Sequence, residues 1–415
     1  MMIVCVAALL AIGIVEIYSA SAIKSAYSYH DETLRLRKHF IDIIIGLAAM
    51  LMMLLMPPRV LQRMRTPLIV ITLLMLVVVL VPGLGSKSGT GARRWFSVFG
   101  QSFQPSELAK YALMIFIASW AAERKDGMKR FHPDFTVPMA LIGGTVFLVV
   151  IEPSISAAAF IATVSCLMFA VSGARLRYFV PVGGGLAVLA ALVIGAVMLA
   201  GGDGKTGKFD YAKDRINIFM NKFRPESERR DVGGKEWQSE QATIALTEGG
   251  WFGTGLGKGR QQLFYLPESD SDFIFAIIAQ ETGFVGASVV VLLFILFLYS
   301  AMKIAFAAQD MFSGLLAAGL ASALGLQAFV HIGVVTGSLF LTGQPLPFIT
   351  RGGTAMILSL AAVGFMIGVA NRTAAAARVP KKIAKRERPK AKVTTVRTKK
   401  PVVVKDFAEN FIAKK

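Results

Sequence analysis

The sequence predicts an all-α polytopic membrane protein with about ten transmembrane helices and one large extracytoplasmic loop. Hydrophobic residues make up 54% of the 415 positions, whereas charged residues make up only 17%. The mean hydropathy is +0.59, so the chain has too little polar surface to cover a soluble globule. The apolar residues also gather in runs long enough to cross a hydrocarbon core of about 30 Å.

The apolar runs define the predicted spans in chain order. They cover residues 2–21, 39–56, 67–84, 106–122, 136–151, 155–172, 179–200, 273–299, 313–336 and 352–371. The first run ends in YSASAIKSAY, which leaves a cleaved signal peptide as an alternative. The further spans behind it favour a retained first helix. Residues 1–372 therefore form one predicted transmembrane domain.

A basic tail sets the predicted orientation. Residues 372–415 hold fifteen Lys and Arg against three acids, in a chain whose formal net charge is +19. Basic residues concentrate on the cytoplasmic side of membrane proteins, so residues 373–415 are predicted to be a disordered cytoplasmic tail. Attraction to anionic lipid explains this charge without a nucleic-acid partner. An even number of spans then puts both termini in the cytoplasm and the segments 85–105, 201–272 and 337–351 outside it.

The segment 201–272 is the long interruption between predicted spans. Connections usually take a few residues, so a loop of this length is expected to carry function. Its run GGWFGTGLGKG, residues 249–259, lacks the preceding strand and the closing GKS or GKT of a phosphate-binding loop. We therefore expect these glycines to permit tight turns against the membrane or close approach to a head group.

Charged side chains within the spans are candidates for a substrate cavity, because each costs roughly 2.5 to 3.5 kcal/mol at the bilayer centre. They are Glu16, Asp42, Glu107, Lys110 and Glu281. Glu107 and Lys110 stand three residues apart in QPSELAK, so they share a helix face and can pair. That pair either orients its helix or lines the cavity. We assign Glu16 and Asp42 to helix packing or to the membrane edge and expect Glu281, deep in its span, to need a partner.

Histidine and cysteine give no metal-site pattern in the sequence. Cys5 and Cys166 both fall inside apolar spans, and their number and spacing fit neither a disulfide framework nor a zinc site. His331 stands alone in the span 313–336, where we expect it to be a hydrogen-bonded packing residue.

Three carboxylates precede the apolar run that starts at Phe273. Glu268, Asp270 and Asp272 occur in YLPESDSDFIF, where the polar loop meets the next predicted span. A carboxylate at this boundary can meet a substrate whose tail lies in lipid and whose head group lies in water. Asp272 also has a structural alternative, because an acid at a helix start caps the helix and interacts favourably with its dipole.

Two further segments on the same predicted face carry cations. The motif GARRW offers Arg93 and Arg94 beside Trp95. Arginine suits an anionic head group, whereas tryptophan suits the interfacial aromatic belt, so membrane anchoring alone is the alternative. GQPLPFITRGG, residues 343–353, brings Arg351 to that face through a proline-broken turn.

Taken together, these segments resemble the SEDS family, the multi-span peptidoglycan glycosyltransferases of cell shape, elongation and division. The resembling motifs are YSAS at 18–21, GARRW at 91–95, QPSELAK at 104–110, WQSEQ at 237–241, GGWFGTGLGKG at 249–259, YLPESDSDFIFAII at 265–278 and the turn before the last span. VPGLG ahead of GARRW and the basic tail look more like the family's division-type members than its elongation-type members.

Two motifs depart from the family pattern. The family usually has QPD where this chain has Glu152, Pro153 and Ser154, so Glu152 is the candidate to replace the missing acid. It usually has SYGG where this chain has TRGG, which places Arg351 in the turn before the last span.

The resemblance implies a reaction and the residues that carry it. The substrate would be lipid II, an undecaprenyl pyrophosphate carrying a disaccharide pentapeptide, polymerised with inversion into β-1,4 glycan on the outer face of the cytoplasmic membrane. Asp272 matches the family's catalytic aspartate and would be the general base. Arg94, Lys110 and Arg351 would stabilise the pyrophosphate charge, alone or with a divalent cation such as Mg²⁺ or Mn²⁺. The remaining candidate substrate contacts are Trp95, Glu107, Gln238, Gln241, Lys258 and Glu268.

The resemblance also implies partners. A class B penicillin-binding protein with transpeptidase activity would dock through its own membrane helix, alongside other divisome proteins. Three other functions stay open from the sequence: a lipid II flippase, an elongation-type polymerase and a noncatalytic division scaffold. The buried charges would suit a flippase as well as an enzyme.

Overall fold

Long helices make up most of the described chain. The structure, a computed structural model, describes residues 1–81, 85–87, 93–98, 101–124, 131–152, 154–173, 221 and 236–378. The predicted span 179–200, most of the predicted loop 201–272 and the tail beyond residue 378 lie outside the described residues.

Helices and three short strands follow one another along the chain. The helices are α1 (Met2–Tyr29), α2 (Leu34–Leu55), α3 (Pro58–Arg63), α4 (Arg65–Leu80), α5 (Pro105–Ala122), α6 (Thr136–Ile151), α7 (Ile155–Val171), α8 (Glu236–Gly249), α9 (Ile274–Ala307), α10 (Met311–Val335) and α11 (Gly353–Arg378). The strands are β1 (Ser86–Lys87), β2 (Arg93–Val98) and β3 (Gln101–Phe103), and π-helical turns cover Phe131–Phe135 and Gln261–Tyr265. α11 packs along α2, whereas α9 packs against α1, α8 and α10.

Within the described residues, 6 helices are long and apolar enough to cross a membrane. They are Met2–Tyr29, Leu34–Leu55, Phe131–Ile151, Ile274–Ala307, Met311–Val335 and Gly353–Ala377. The predicted runs 67–84 and 155–172 correspond to the shorter apolar helices α4 and α7. The run 106–122 corresponds to α5, which has 18 residues and carries Glu107 and Lys110 in its first turns. A helical membrane protein is thus confirmed, whereas the full count of spans stays a prediction.

A small antiparallel sheet precedes α5, in a region where the sequence predicts only a loop between helices. Its strands pair in the order β1, β2, β3, with Phe96 opposite Phe103. Aromatic residues such as Phe96 and Phe103 are enriched in β-strands, which explains why this segment folds as a sheet. Thr354 joins the sheet to α11, because its Oγ1 accepts from Gln104 N at 3.0 Å and donates to Ser102 O at 3.1 Å. The starts of α5 and α11 are thereby held side by side.

α9 is broken at Gly283, where φ is 70° and ψ is −170°. The glycine run 249–259 lies against this break, and Phe284 N donates to Gly250 O at 2.8 Å. A Cβ on Gly283 would lie only 2.4 Å from Gly253 N. The glycines therefore permit a close backbone approach, and the neighbour that the structure shows is α9.

Replacing Gly283 with alanine is expected to destabilise the protein, because this region of φ and ψ is populated almost only by glycine and costs about 1 to 3 kcal/mol. The clash with Gly253 adds to that cost. The measurement is the midpoint of thermal unfolding in detergent, which should fall by several degrees. Gly144→Ala is the matched control, since a Cβ there meets nothing within 4 Å. Equal midpoints for the two variants would contradict this explanation of the break.

The exposure of α9 changes at the same break. Residues 274–279 are all buried, whereas the large apolar side chains that α9 exposes begin at Phe284. Trp251, itself 69% exposed, packs edge-on against Phe284 with ring centroids 5.3 Å apart. The first turns of α9 are therefore enclosed by protein, and its lipid-facing surface starts at Phe284.

Candidate active site

Asp272 lies just before α9, beside the turn that leads into α11. The residue is half-buried, and a Cβ on Gly343 would lie only 3.1 Å from Asp272 Oδ2. The N-cap residue of α9 is Phe273, so Asp272 stands one residue before the cap. Because Asp272 precedes Phe284 by twelve residues, it lies roughly 18 Å along the chain direction from the exposed apolar part of α9. Asp272 is thus partly shielded by the turn and still accessible.

Asp270, two residues earlier, is the centre of an ionic cluster. Its side chain is 1% exposed, and its Oδ2 accepts a hydrogen bond from Arg35 Nη1 at 3.0 Å. Arg351 Nε lies 2.8 Å from the same oxygen. From the sequence, Asp270 ranks as secondary to Asp272, and Arg35 is not singled out at all. No local pattern reveals their contact, because Arg35 and Asp270 are 235 residues apart.

α1 also contacts the loop that leads into α9. Lys24 Nζ donates to Leu266 O at 2.7 Å and to Ser269 Oγ at 2.8 Å. Glu268, a predicted substrate contact, is exposed and has a left-handed φ of 51°. Its carboxylate accepts from Ser271 Oγ at 2.8 Å and so closes a local turn. This turn and the Lys24 contacts fix the backbone of the loop.

The predicted pair of Glu107 and Lys110 is confirmed at the start of α5. Lys110 Nζ lies 2.8 Å from Glu107 Oε2, and both side chains are buried. Lys110 also donates to Gln327 Oε1 at 3.3 Å, and Gln327 Nε2 donates to Pro345 O at 2.9 Å. The pair is therefore linked through α10 to the turn that contacts Asp272.

The turn between α10 and α11 holds a strained residue. Phe348 has a left-handed φ of 66° although it is only 1% exposed, a conformation that costs a bulky side chain about 1 to 3 kcal/mol. His331 Nδ1 donates to Gln344 O at 2.8 Å, which confirms its predicted packing role. α1 approaches closely, since a Cβ on Gly13 would lie 2.9 Å from Ile349 Cα. The surrounding helices thus fix the turn where it meets the two aspartates.

Arg94 and Trp95 lie in β2, and Arg94 contacts the connection between α6 and α7. Arg94 Nε donates to Glu152 O at 2.9 Å. Glu152 is fully buried, and this burial raises the pKa of its carboxyl to about 8, with Arg94 opposing the shift. Because Glu152 is then mostly protonated near neutral pH, it does not cancel the charge of Arg94.

Gln238, Gln241 and Lys258 lie in the segment made of α8 and the glycine run that follows it. Gln238 and Gln241 are on α8, which packs against α9. Lys258 belongs to the glycine run, whose backbone bonds to α9 near Glu281, about 13 Å along the helix from Asp272. Glu281 Oε1 accepts from Ser19 Oγ at 2.5 Å, which supplies the partner that its depth predicts. Lys258 therefore approaches α9 beyond the Asp272 end, whereas the start of α8 contacts the loop before α9, because Trp237 Nε1 donates to Tyr265 O at 2.9 Å.

The described part of the chain offers no ready site for a divalent metal. Within it, no three His, Cys, Asp or Glu side chains lie close enough together to hold an ion. Asp270, the acid nearest to Asp272 in the sequence, already contacts two arginines. We therefore derive no step through Mg²⁺ or Mn²⁺.

Fold and site together define a polytopic helical membrane protein with a half-buried carboxylate, Asp272, two residues after an aspartate that contacts two arginines. Such an arrangement suits a membrane protein that handles an anionic, lipid-linked substrate. The chain belongs to the FtsW, RodA and SpoVE family, because the family model described as "Cell cycle protein" matches residues 1–375.

Several known proteins are similar over most of their length. A probable peptidoglycan glycosyltransferase FtsW of Geobacter sp. (strain M18) is 35% identical over 365 residues, which cover 88% of this chain and 94% of that protein. Stage V sporulation protein E of Bacillus subtilis (strain 168) is 32% identical over 361 residues, covering 87% and 93%.

Solved structures of the family share the fold. The rod shape determining protein RodA of Thermus thermophilus is 26% identical, with a TM-score of 0.62 over 90% of this chain and 96% of that chain. A chain from the structure "Structural coordination of polymerization and crosslinking by a peptidoglycan synthase complex" is 27% identical, with a TM-score of 0.69 over 90% of this chain and 97% of that chain.

Proposed function

We propose that this protein is a peptidoglycan glycosyltransferase of the FtsW type, which polymerises lipid II into β-1,4 glycan strands during cell division. Relatives named as probable peptidoglycan glycosyltransferases support the reaction class. The observation that carries the proposal is the position of Asp272, a half-buried carboxylate beside Gly343 of the turn before α11 and two residues after Asp270, whose carboxylate contacts Arg35 and Arg351.

Asp272 is the general base in this proposal. The new C–O bond forms at the anomeric carbon of one sugar as its bond to the phosphate oxygen breaks, and Asp272 takes the proton of the attacking 4-hydroxyl. A positioned base contributes about 10² to 10⁴-fold to such a rate. Pyrophosphate leaves as a stable anion and needs no acid, so one carboxylate suffices where an inverting glycosidase uses two.

Cations on the same face stabilise the pyrophosphate charge. Arg94 and Arg351 each contact a protein partner, and a guanidinium offers five N–H donors in a planar fork that suits an anionic phosphate. Lys110 lies deeper, paired with Glu107, and contacts the turn through Gln327. In this proposal Lys110 both adds positive charge and supports the turn beside Asp272.

The proposed topology follows the sequence prediction of about ten spans, with both termini in the cytoplasm and Asp272 on the outer face of the bacterial cytoplasmic membrane. The proposed partner is a class B penicillin-binding protein that crosslinks the product. A similar solved structure, which concerns the coordination of polymerization and crosslinking by a peptidoglycan synthase complex, supports this partner. Other divisome proteins would then direct the pair to the division site.

A lipid II flippase is the second candidate, favoured by the ion pair of Glu107 and Lys110 buried in the helix bundle. The test uses the purified full-length protein with its transpeptidase partner and labelled lipid II. Glycan polymer supports the glycosyltransferase. Movement of lipid II across the liposome membrane without polymer supports the flippase. The absence of both polymer and lipid movement supports the noncatalytic scaffold.

Replacing Arg94 with alanine is expected to lower polymerisation about 10- to 100-fold, because a hydrogen bond to a charged group contributes about 1.5 to 3 kcal/mol. The initial rate of polymer formation from labelled lipid II measures this effect. Arg65→Ala is the matched control, since Arg65 pairs with Glu123 at the opposite predicted face. A wild-type rate in Arg94→Ala would remove this residue from the proposed site.

A further inference from the structure

The cluster of Asp270, Arg35 and Arg351 joins three distant parts of the chain. α2 contributes Arg35, the loop before α9 contributes Asp270, and the turn before α11 contributes Arg351. The Asp270 side chain is 1% exposed, whereas those of Arg35 and Arg351 are 20% and 31% exposed. The carboxylate therefore lies under two cations that still reach solvent.

Both arginines contact the same oxygen, Asp270 Oδ2. Arg35 makes a directed hydrogen bond at 3.0 Å, whereas the 2.8 Å contact of Arg351 Nε is ionic and lacks hydrogen-bond geometry. The main chain adds a second link, because Arg351 N donates to Asp270 O at 3.4 Å. A buried carboxylate with two guanidinium partners resists displacement, since movement would leave a buried charge unpaired.

Asp272 lies where the two segments joined by Asp270 meet, namely the loop before α9 and the turn before α11. It follows Asp270 by two residues in the loop, and its Oδ2 lies beside Gly343 of the turn that carries Arg351. We propose that Asp270 is a positioning residue, which fixes the Asp272 carboxylate between loop and turn and holds Arg35 and Arg351 as a cationic pair beside it. The inference rests on the proposed function, because it takes Asp272 as the base of that reaction.

The test compares Asp270→Asn with Asp134→Asn in the full-length protein with its partner. Asp134 Oδ1 lies 2.6 Å from Arg124 Nε, near the predicted cytoplasmic face. Asp134→Asn therefore breaks a comparable ion pair on the face opposite the proposed site. A displacement of about 1 Å can cost roughly 10²-fold in rate. We therefore expect Asp270→Asn to lower kcat for polymerisation at least about tenfold and to leave KM within about threefold. Asp134→Asn should keep the wild-type rate, and Asp270→Glu should recover part of it.

Amide hydrogen exchange gives a readout that does not depend on activity. In Asp270→Asn, peptides covering residues 266–273 and 346–352 should exchange faster than in wild type, while Asp134→Asn should leave them unchanged. Full activity in Asp270→Asn, or unchanged exchange in those peptides, would overturn the positioning role. If the wild type makes no polymer, the proposed function fails, and exchange alone decides whether Asp270 fixes these two segments.

Discussion

Asp272→Asn is expected to lower lipid II polymerisation by about 10² to 10⁴-fold, the range that a positioned general base contributes. Asparagine keeps the size of the side chain but does not take up the hydroxyl proton. Because Asp272 is half-buried and is not the N-cap residue of α9, the substitution should leave folding intact. The measurement is polymer formation from labelled lipid II by the protein with its transpeptidase partner.

Asp31→Asn is the control for this experiment. Asp31 is a carboxylate in the connection between α1 and α2, where it pairs with Arg37. It should keep the wild-type rate, because this pair is separate from the Asp270 cluster. Thermal unfolding of both variants must match wild type, since a lowered midpoint in Asp272→Asn would assign the loss of activity to folding. Polymerisation at the wild-type rate in a well-folded Asp272→Asn would exclude the proposed base.

Lys110→Met is expected to have the second large effect, acting on both activity and stability. Removing a cation that stabilises developing charge lowers a rate by about 10² to 10³-fold. The same change leaves the buried Glu107 without its partner, which is expected to lower the free energy of unfolding by about 3 to 5 kcal/mol. Polymer formation and thermal unfolding in detergent measure the two effects separately.

The double variant Glu107→Gln/Lys110→Met separates catalysis from folding. It removes both charges, so the midpoint of thermal unfolding should return towards the wild-type value. Polymerisation should stay low, because the cation is still missing. If activity returned together with stability, the pair would serve only to orient α5, the structural alternative that the sequence leaves open.

Features that depend on local sequence were predictable. Hydropathy located the apolar helices of the described residues, because the bilayer thickness sets the length of an apolar run. The spacing of Glu107 and Lys110 predicted their pairing, because residues three apart share a helix face. The lone His331 was correctly predicted to be a hydrogen-bonded packing residue.

Features that depend on distant contacts were not predictable from one sequence. The contact of Arg35 with Asp270 requires the fold to bring together residues 235 positions apart. The sequence shows a cluster of glycines at 249–259, which indicates a close backbone approach. It does not show that the segment they approach is α9. The sequence did not predict the sheet before α5, because its three strands have only 2, 6 and 3 residues and lack a clear alternation of polar and apolar residues.

The distance between Asp272 and the acceptor sugar tests the central claim most directly. A structure of the full-length protein with its partner and a bound lipid II acceptor analogue should place the sugar 4-hydroxyl about 2.6 to 3.2 Å from the Asp272 carboxylate. A 4-hydroxyl bound by Glu281 or Glu107 instead, with no sugar within reach of Asp272, would contradict the assignment of the base.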